Sequence, residues 1–356
     1  MSVPVAGPVL VIGCGLLGAS VGLALRRAGV TVWLDDVEPD VLSEAVKRGA
    51  GQPWEDGMGE PGLVVVAVPP SSAGAALARA SGFPDATVTD VTSVKEAPLT
   101  QALAAGADVA RLVGGHPMAG REMSGPGAAR MDLFDDRPWV VTPLAGTRPE
   151  RTQHVVDLAT TCGALALVMD PDEHDRAVAL TSHAPQVVSY LLAARLLEAD
   201  DRAVSVSGQG LRDMTRIAAS APAMWQEILS TNAGSVADVL EAFGSDLSDF
   251  VAELRAGAGE DISEALLRGV QGRERIPGKH GDAATSYDVV SAVVKDEPGE
   301  LARLFVAAGQ LGVNLEDVRI DHVLGKPSGL IELSVRPEAS ARLREGLIDL
   351  GFDVRA

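Results

Sequence analysis

The chain opens its apolar pattern on Val9-Leu10-Val11-Ile12, a short unbroken run that reads as a strand. A glycine-rich turn follows, then a helical stretch over 19–28 and a second strand over 30–34. Further apolar strands recur at 63–68, 87–91, 112–114, 139–142 and 165–169, with helical stretches among them. Strands that alternate with helices in this way predict a doubly wound parallel sheet. Past Asp170-Pro171 the period changes. Residues 174–198 are apolar on nearly every face of a helix, as suits a bundle core or a contact between subunits. Helical periodicity resumes over 205–220, is interrupted by Pro222, and continues over 223–256 as one long helix or as two pieces broken near Gly234 or Gly244.

Residues 271–284 have no apolar period and are rich in Arg, Gly, Lys and His, so they read as a linker. A third pattern begins at Tyr287: strand over 288–294, helix over 298–309, strands near 313–320 and 330–335, helix over 338–350 and a last strand at 352–354. That order, β-α-β-β-α-β, predicts a small α+β domain of ferredoxin-like topology. The expected organisation is an α/β domain over 1–171, an all-α domain over 172–275, a linker over 276–285 and the α+β domain over 286–356.

Composition adds limits. A length of 356 residues is too great for one ordinary core. The content of 46% hydrophobic and 22% charged residues is that of a globular protein, with no apolar run long enough to span a bilayer. No signal peptide is apparent before Val9, which points to the cytoplasm. A net charge of −19 opposes binding to nucleic acid or anionic membranes. An anionic substrate would need a local group of arginines, and Arg212 and Arg216 stand one helical turn apart. Cys14 and Cys162 lack metal-ligand spacing and read as reduced packing residues; no metal site is expected.

Strand, Gly13-Cys14-Gly15-Leu16-Leu17-Gly18, helix and strand are the order that a Rossmann-type dinucleotide site requires. Gly13 allows the tight turn, Gly15 lets a pyrophosphate approach, and Gly18 lets the helix pack on the sheet. The helix N-terminus offers its free N–H groups to the phosphates. Asp35 and Asp36 end the second strand, where one carboxylate can accept from ribose hydroxyls; the register leaves open which. With no arginine there to hold a 2′-phosphate, NAD is favoured over NADP.

Two further segments carry chemistry. Thr89-Asp90-Val91-Thr92-Ser93-Val94-Lys95 ends one sheet strand, and Gly114-Gly115-His116-Pro117-Met118-Ala119-Gly120-Arg121-Glu122 sets a histidine in what reads as a glycine-rich turn after the next. A histidine between glycines suits a base that must meet both substrate and cofactor.

Residues 13–20, 90–95, 114–125, the Ser182-His183-Ala184-Pro185 segment and residues 213–225 together resemble the prephenate dehydrogenase (TyrA) family, in the family's order. The resemblance implies NAD-dependent oxidation and decarboxylation of prephenate to 4-hydroxyphenylpyruvate in tyrosine biosynthesis. It implies His116 as catalytic base, Ser93 as its hydrogen-bonding partner and as a cofactor neighbour, and Arg216 as anchor of a substrate carboxylate. Val68 and Pro69 join Gly13, Gly15, Leu16, Leu17, Gly18, Asp35 and Asp36 at the cofactor. Glu122 and His183 are expected at the substrate pocket, Trp225 in the pocket or the core, and Arg121 at a second carboxylate or in solvent. Family members often carry a second histidine where this chain has Gln186, so the choice between prephenate and arogenate stays open. His174 falls in a segment that resembles the family's domain junction, where a structural role is expected.

The helices after Asp170 are expected to form a homodimer. Lys295-Asp296-Glu297-Pro298-Gly299-Glu300-Leu301 with Gly312-Val313-Asn314-Leu315 resembles an ACT domain, which implies an amino-acid effector, tyrosine, at Pro298, Gly299 and Asn314. The rival readings are a hydroxyacid dehydrogenase and a non-catalytic regulator that senses NAD and amino acids. Hydroxyacid dehydrogenases of this kind usually take a catalytic lysine from the helical domain, and no lysine occurs between Lys95 and Lys279.

Overall fold

The structure is a computed structural model that describes the chain except residues 1–4, 6, 56, 121–122, 258, 277–286, 323–327 and 356. It divides into two compact units, Met1–Asp246 and Leu247–Ala356.

The first unit holds β1 (Val9–Ile12), α1 (Leu16–Arg27), β2 (Val32–Asp35), α2 (Pro39–Lys47), β3 (Gln52–Pro53), β4 (Leu63–Val66), α3 (Pro70–Ala80), β5 (Thr87–Asp90), α4 (Glu96–Ala104), β6 (Leu112–Pro117), β7 (Pro138–Pro143), α5 (Pro149–Thr161) and β8 (Leu165–Val168). The strands form one sheet in the order β3-β2-β1-β4-β5-β6-β7-β8. Side chains alternate across it. Val9, Val11 and Val65 pack with Ala24 and Leu25 of α1 and Leu158 of α5, whereas Leu10, Ile12, Val64 and Val66 pack with Leu77 of α3 and Leu99 of α4. Both faces are covered, which is why β1 and β4 read as unbroken apolar runs.

The chain leaves β1 toward β2 and β3 on one side and resumes at β4 on the other. This reversal opens a crevice at the carboxyl ends of β1 and β4, where open α/β sheets bind ligands. The sheet is parallel except at one pairing: β6 and β7 are antiparallel, so β7 and β8 oppose the other strands. Among the described residues between β6 and β7 stands only a single short turn of helix, Pro126–Ala128, and without a crossover helix neighbouring strands pair antiparallel. The doubly wound parallel sheet expected from the sequence carries this one antiparallel pairing.

Helices follow: α6 (Pro171–Val178), a π-helical turn at Ala179–His183, α7 (Ala184–Ala194), α8 (Asp201–Ser205), α9 (Gln209–Thr215), α10 (Pro222–Thr231) and α11 (Ala233–Ala256), which runs across the division between the units. The expected helix over 205–220 is thus α9 and a 3-10 turn at Arg216–Ala219, with α8 already ended at Ser205. The break in the long helix falls at Asn232, just before Gly234. There the asparagine side chain leaves its helix to donate to the carbonyl of Asp175, at 2.8 Å. No helix of the described residues is long and apolar enough to cross a membrane.

The second unit holds α12 (Gly259–Glu274), which lies in the stretch expected to be helical and extends into the linker expected from 271, then β9 (Asp288–Lys295), α13 (Glu300–Gln310), β10 (Asp317–His322), β11 (Ser328–Val335), α14 (Pro337–Asp349) and β12 (Asp353–Arg355). Its antiparallel sheet has the order β10-β11-β9-β12. Val290, Ala292 and Val294 alternate inward from β9 onto Leu304 of α13 and Leu343 and Leu347 of α14, the ferredoxin-like pattern read from the sequence.

Candidate active site

Gly13 closes the turn after β1 with a φ of +95°, and a Cβ there would lie 2.5 Å from the carbonyl oxygen of Ala67 at the end of β4. A Cβ on Gly18 would strike the Gly13 carbonyl at 1.9 Å, so α1 packs directly on the turn. At Gly15 a Cβ would meet nothing within 4 Å. The open side of the turn therefore faces outward at the N-terminus of α1, whose first turn holds Leu16 and Leu17 and has no side-chain cap. Free N–H groups beside open space fit a pyrophosphate.

A hydrogen bond distinguishes the two aspartates. Asp36 accepts from the backbone N–H of Cys14 at 2.6 Å and of Glu38 at 2.9 Å, which sets its carboxylate against the glycine turn. Asp35 ends β2 and receives the Gly13 N–H on its backbone carbonyl. Burial, with Asp36 and Asp35 beside it, pushes the Cys14 thiol up to about 12, and burial does the same to Cys162, also to about 12. Both are buried free thiols, inert near neutral pH. Val68 and Pro69 follow β4, with Pro69 at the start of α3.

His116 is placed by a buried polar knot. Asp90, at the end of β5, and Lys95 are both fully buried and form an ion pair. Lys95 Nζ also donates to Thr92 Oγ1 at 3.0 Å and to the Gly115 carbonyl at 2.6 Å, and Asp90 Oδ1 accepts the Gly115 N–H at 3.1 Å. Both backbone groups of Gly115 are thereby held by one ion pair, and the next residue is the histidine. Burial pulls the Lys95 ammonium below its usual range, against the opposing pull of Asp90 and Asp175.

The glycines before His116 serve packing rather than ligand approach. His116 lies within β6, opposite Val140 of β7, not in a turn. A Cβ on Gly114 would sit 2.2 Å from Thr142 Oγ1, and one on Gly115 would sit 2.6 Å from the Asp90 carbonyl. Neighbouring strands take the space that the sequence reading assigned to substrate and cofactor.

The partner of His116 is His174, from α6. His116 Nδ1 and His174 Nε2 are 2.8 Å apart, with the rings edge to face at a 74° interplanar angle. His174 Nδ1 in turn lies 2.7 Å from Asp175 Oδ1. Asp175 also accepts the backbone N–H groups of Lys95 at 2.8 Å and Glu96 at 2.9 Å, at the start of α4. Ser93, expected in this role, is half-buried in the loop before α4 and has no hydrogen bond to His116 among the described residues. Nor does it cap α4, where Lys95 holds that position. Burial first, then His174, Lys95 and His183, hold the His116 imidazole well below its ordinary 6.5.

Asn232 links this chain to His183, one of the expected substrate residues. His183 is buried in the π-helical turn, 3.2 Å from Asn232 Nδ2 and edge to face with Trp225, which is half-buried. Gln186 is buried, and its amide nitrogen donates to the Ile217 carbonyl at 2.7 Å, tying α7 to the segment that carries Arg216. Arg216 is exposed and has no ion pair among the described residues; Asp213, a candidate partner in sequence, instead accepts from Gln209. Arg121 and Glu122 lie outside the described residues. Asn232 and the His174–Asp175 pair were not foreseen as site residues. The signal was present in Glu173-His174-Asp175, a donor next to an acceptor, but nothing in the sequence linked it to a histidine 58 positions away.

Burial, against an opposing pull from Asp175, brings the His183 imidazole down from 6.5 to about 4. Between those values the unfolded chain binds a proton that the folded one refuses, so stability falls as pH drops from 6.5 toward 4. Thermal melting across that window is expected to show a steady loss, smaller in His183→Gln than in the wild type.

A glycine turn at the switch point of a doubly wound sheet, with Asp36 beside it, defines a nucleotide-binding α/β domain joined to a helical one. Residues 21–168 match the family model "Prephenate dehydrogenase, nucleotide-binding domain", and residues 170–268 match "Prephenate dehydrogenase, dimerization domain". The chain belongs to the prephenate dehydrogenase family. It is 36% identical over 346 residues to "Probable prephenate dehydrogenase NovF" of Streptomyces niveus, covering 94% of this chain and 95% of that one. The crystal structure of a prephenate dehydrogenase from A. aeolicus, in complex with hydroxyphenyl propionate and NAD+, superposes with a TM-score of 0.69 at 28% identity, over 76% of this chain and 98% of that one. A Synechocystis arogenate dehydrogenase superposes with a TM-score of 0.68 at 25% identity, over 75% of this chain and 99% of that one.

Proposed function

We propose that this protein is an NAD-dependent prephenate dehydrogenase of the cytoplasm, with His116 as the general base. The observation that carries the reading is that, among the described residues, His116 is hydrogen-bonded through Nδ1, to His174, which leaves Nε2 for a substrate. The bound nicotinamide would supply the acceptor for the hydride that leaves ring C4. His116 Nε2 takes the C4 hydroxyl proton as that hydride departs, and loss of carbon dioxide then leaves an aromatic ring. Arg216, exposed and unpaired among the described residues, binds a substrate carboxylate through its planar fork. Ser93, with no hydrogen bond to His116, is left to face substrate or cofactor.

Asp36 is the aspartate that holds the adenosine ribose, because its carboxylate already stands against the Cys14 N–H. Replacing Asp36 with alanine is expected to raise KM for NAD+ about 10-fold to 100-fold, the worth of a hydrogen bond to a charged group, and KM for NADP+ far less. Initial rates with both cofactors check this.

Apolar residues exposed on the helices of a single chain, among them Leu180, Leu191, Leu197, Val206 and Met214, support a homodimer through this domain. In the second unit Gly299 starts α13 with a φ of +97°, and the helix start is open around it, with nothing within 4 Å of an added Cβ. With Pro298 before it, and Asn314 in the connection between α13 and β10, this is the position proposed for tyrosine as a feedback effector of an ACT domain. Asn314 donates to Glu316 at 3.0 Å. The test of the whole reading is NADH formation with prephenate and with arogenate, each with and without tyrosine. Arogenate turnover far above prephenate turnover would reverse the substrate, and no turnover of either would leave a sensing role.

A further inference from the structure

Asp175, His174 and His116 form a chain whose hydrogen bonds have a single consistent direction when both imidazoles are neutral. A carboxylate only accepts, so the proton between Asp175 and His174 sits on His174 Nδ1, 2.7 Å away. A neutral imidazole carries one N–H, which makes His174 Nε2 an acceptor. His116 Nδ1, at 2.8 Å, must then donate, and His116 Nε2 is left with its lone pair. His174 is fully buried and Asp175 is 2% exposed, so neither can exchange its partner for water.

We propose that His174 and Asp175 are positioning residues that hold His116 in its basic tautomer and then receive its proton. This rests on the reading of His116 as general base. When the substrate O–H breaks, a bond forms from that proton to His116 Nε2. The His116 Nδ1–H bond then breaks as His174 Nε2–H forms. The positive charge comes to rest on His174, in contact with the Asp175 carboxylate, and His116 is neutral again.

The surroundings favour that resting place. His116 has Lys95 and His183 near it, and burial with these neighbours disfavours its cation. His174 has the Asp175 carboxylate in direct contact, with His183 near both. A proton on either ring of the pair removes the free lone pair of His116 Nε2: directly on His116, and on His174 by turning the shared bond round, so that His174 Nε2 donates to His116 Nδ1. The acid limb of kcat/KM therefore belongs to the pair, not to His116 alone.

Two measurements test this. In long-range 1H–15N spectra of the wild-type protein labelled at histidine, above the imidazole titration range, both His116 and His174 are expected to carry hydrogen on Nδ1 and none on Nε2; hydrogen on His116 Nε2 would overturn the proposal. In His174→Gln the amide oxygen still accepts from His116 Nδ1 but cannot take its proton. KM for substrate should stay within about twofold while kcat falls about 10-fold to 100-fold and the acid limb moves to lower pH. Asp175→Asn reverses the donor at His174 and should cost on the order of 10³-fold in kcat, as a wrong tautomer does in other histidine bases. Wild-type kcat with an unmoved acid limb in His174→Gln would also overturn the relay, while His116→Asn would still report on the base itself. Should the wild type turn over neither arogenate nor prephenate, the functional reading fails, and the spectra still decide the tautomers.

Discussion

Replacing His116 with asparagine is expected to lower kcat for prephenate by about 10²-fold to 10⁴-fold, the contribution of a positioned general base, with little change in KM. Asparagine keeps a polar group on β6 but has no nitrogen that takes a proton. The backbone there is held by Asp90 and Lys95 through Gly115, not by the histidine side chain, so the variant should retain the fold. Circular dichroism and NAD+ binding would confirm that only the chemical step is lost. Burial and its cationic neighbours hold the His116 imidazole well below 6.5, and the acid limb of the wild-type profile is that of the His116–His174 pair. Retained turnover in the variant would remove His116 from the mechanism.

Lys95→Met should destabilise the protein by about 3–5 kcal/mol, because it leaves the Asp90 carboxylate buried without its cation. Both side chains are wholly removed from solvent, and the lysine also satisfies the Gly115 carbonyl and Thr92 Oγ1. Against a total stability of about 5–15 kcal/mol, one such change brings a domain close to unfolding. Denaturant unfolding of the first unit's sheet would measure it. The double variant Asp90→Leu with Lys95→Met should recover part of the loss, since an apolar pair carries no stranded charge. It should not recover activity, because neither backbone group of Gly115 keeps its partner and His116 loses its fixed place. Equal stability of Lys95→Met and the wild type would show that the knot contributes nothing net.

Much of the fold was legible because local pattern determines it. The apolar runs at β1 and β4, the glycine turn between β1 and α1, and the β-α-β-β-α-β order after Tyr287 each follow from spacing that neighbouring residues alone impose. The direction of β7 was not legible. It follows from what the described residues of the connection after β6 lack, a crossover helix, and the expected pattern of alternation obscured that lack. Gly114 and Gly115 show the same limit at one position: the sequence marks them as glycines, but only the packing of β5 and β7 says that the missing side chains make room for Asp90 and Thr142.

The sequence by itself determined the chemical types available to this protein: a glycine turn for phosphates, two aspartates at a strand end, a histidine for proton transfer and arginines for a carboxylate. Tertiary structure decided how they are joined. It turned Asp36 to the Cys14 N–H, gave His116 a histidine partner from α6 in place of Ser93, engaged Gln186 with the Ile217 carbonyl, and set Asn232 between Asp175 and His183. The physical reason is that periodicity and propensity act over a few residues, whereas a hydrogen bond between side chains 58 positions apart exists only when two elements pack at a particular register. Direction in such a bond, donor to acceptor, is the property on which the proposed role of His116 rests, and no single residue in the chain carries it.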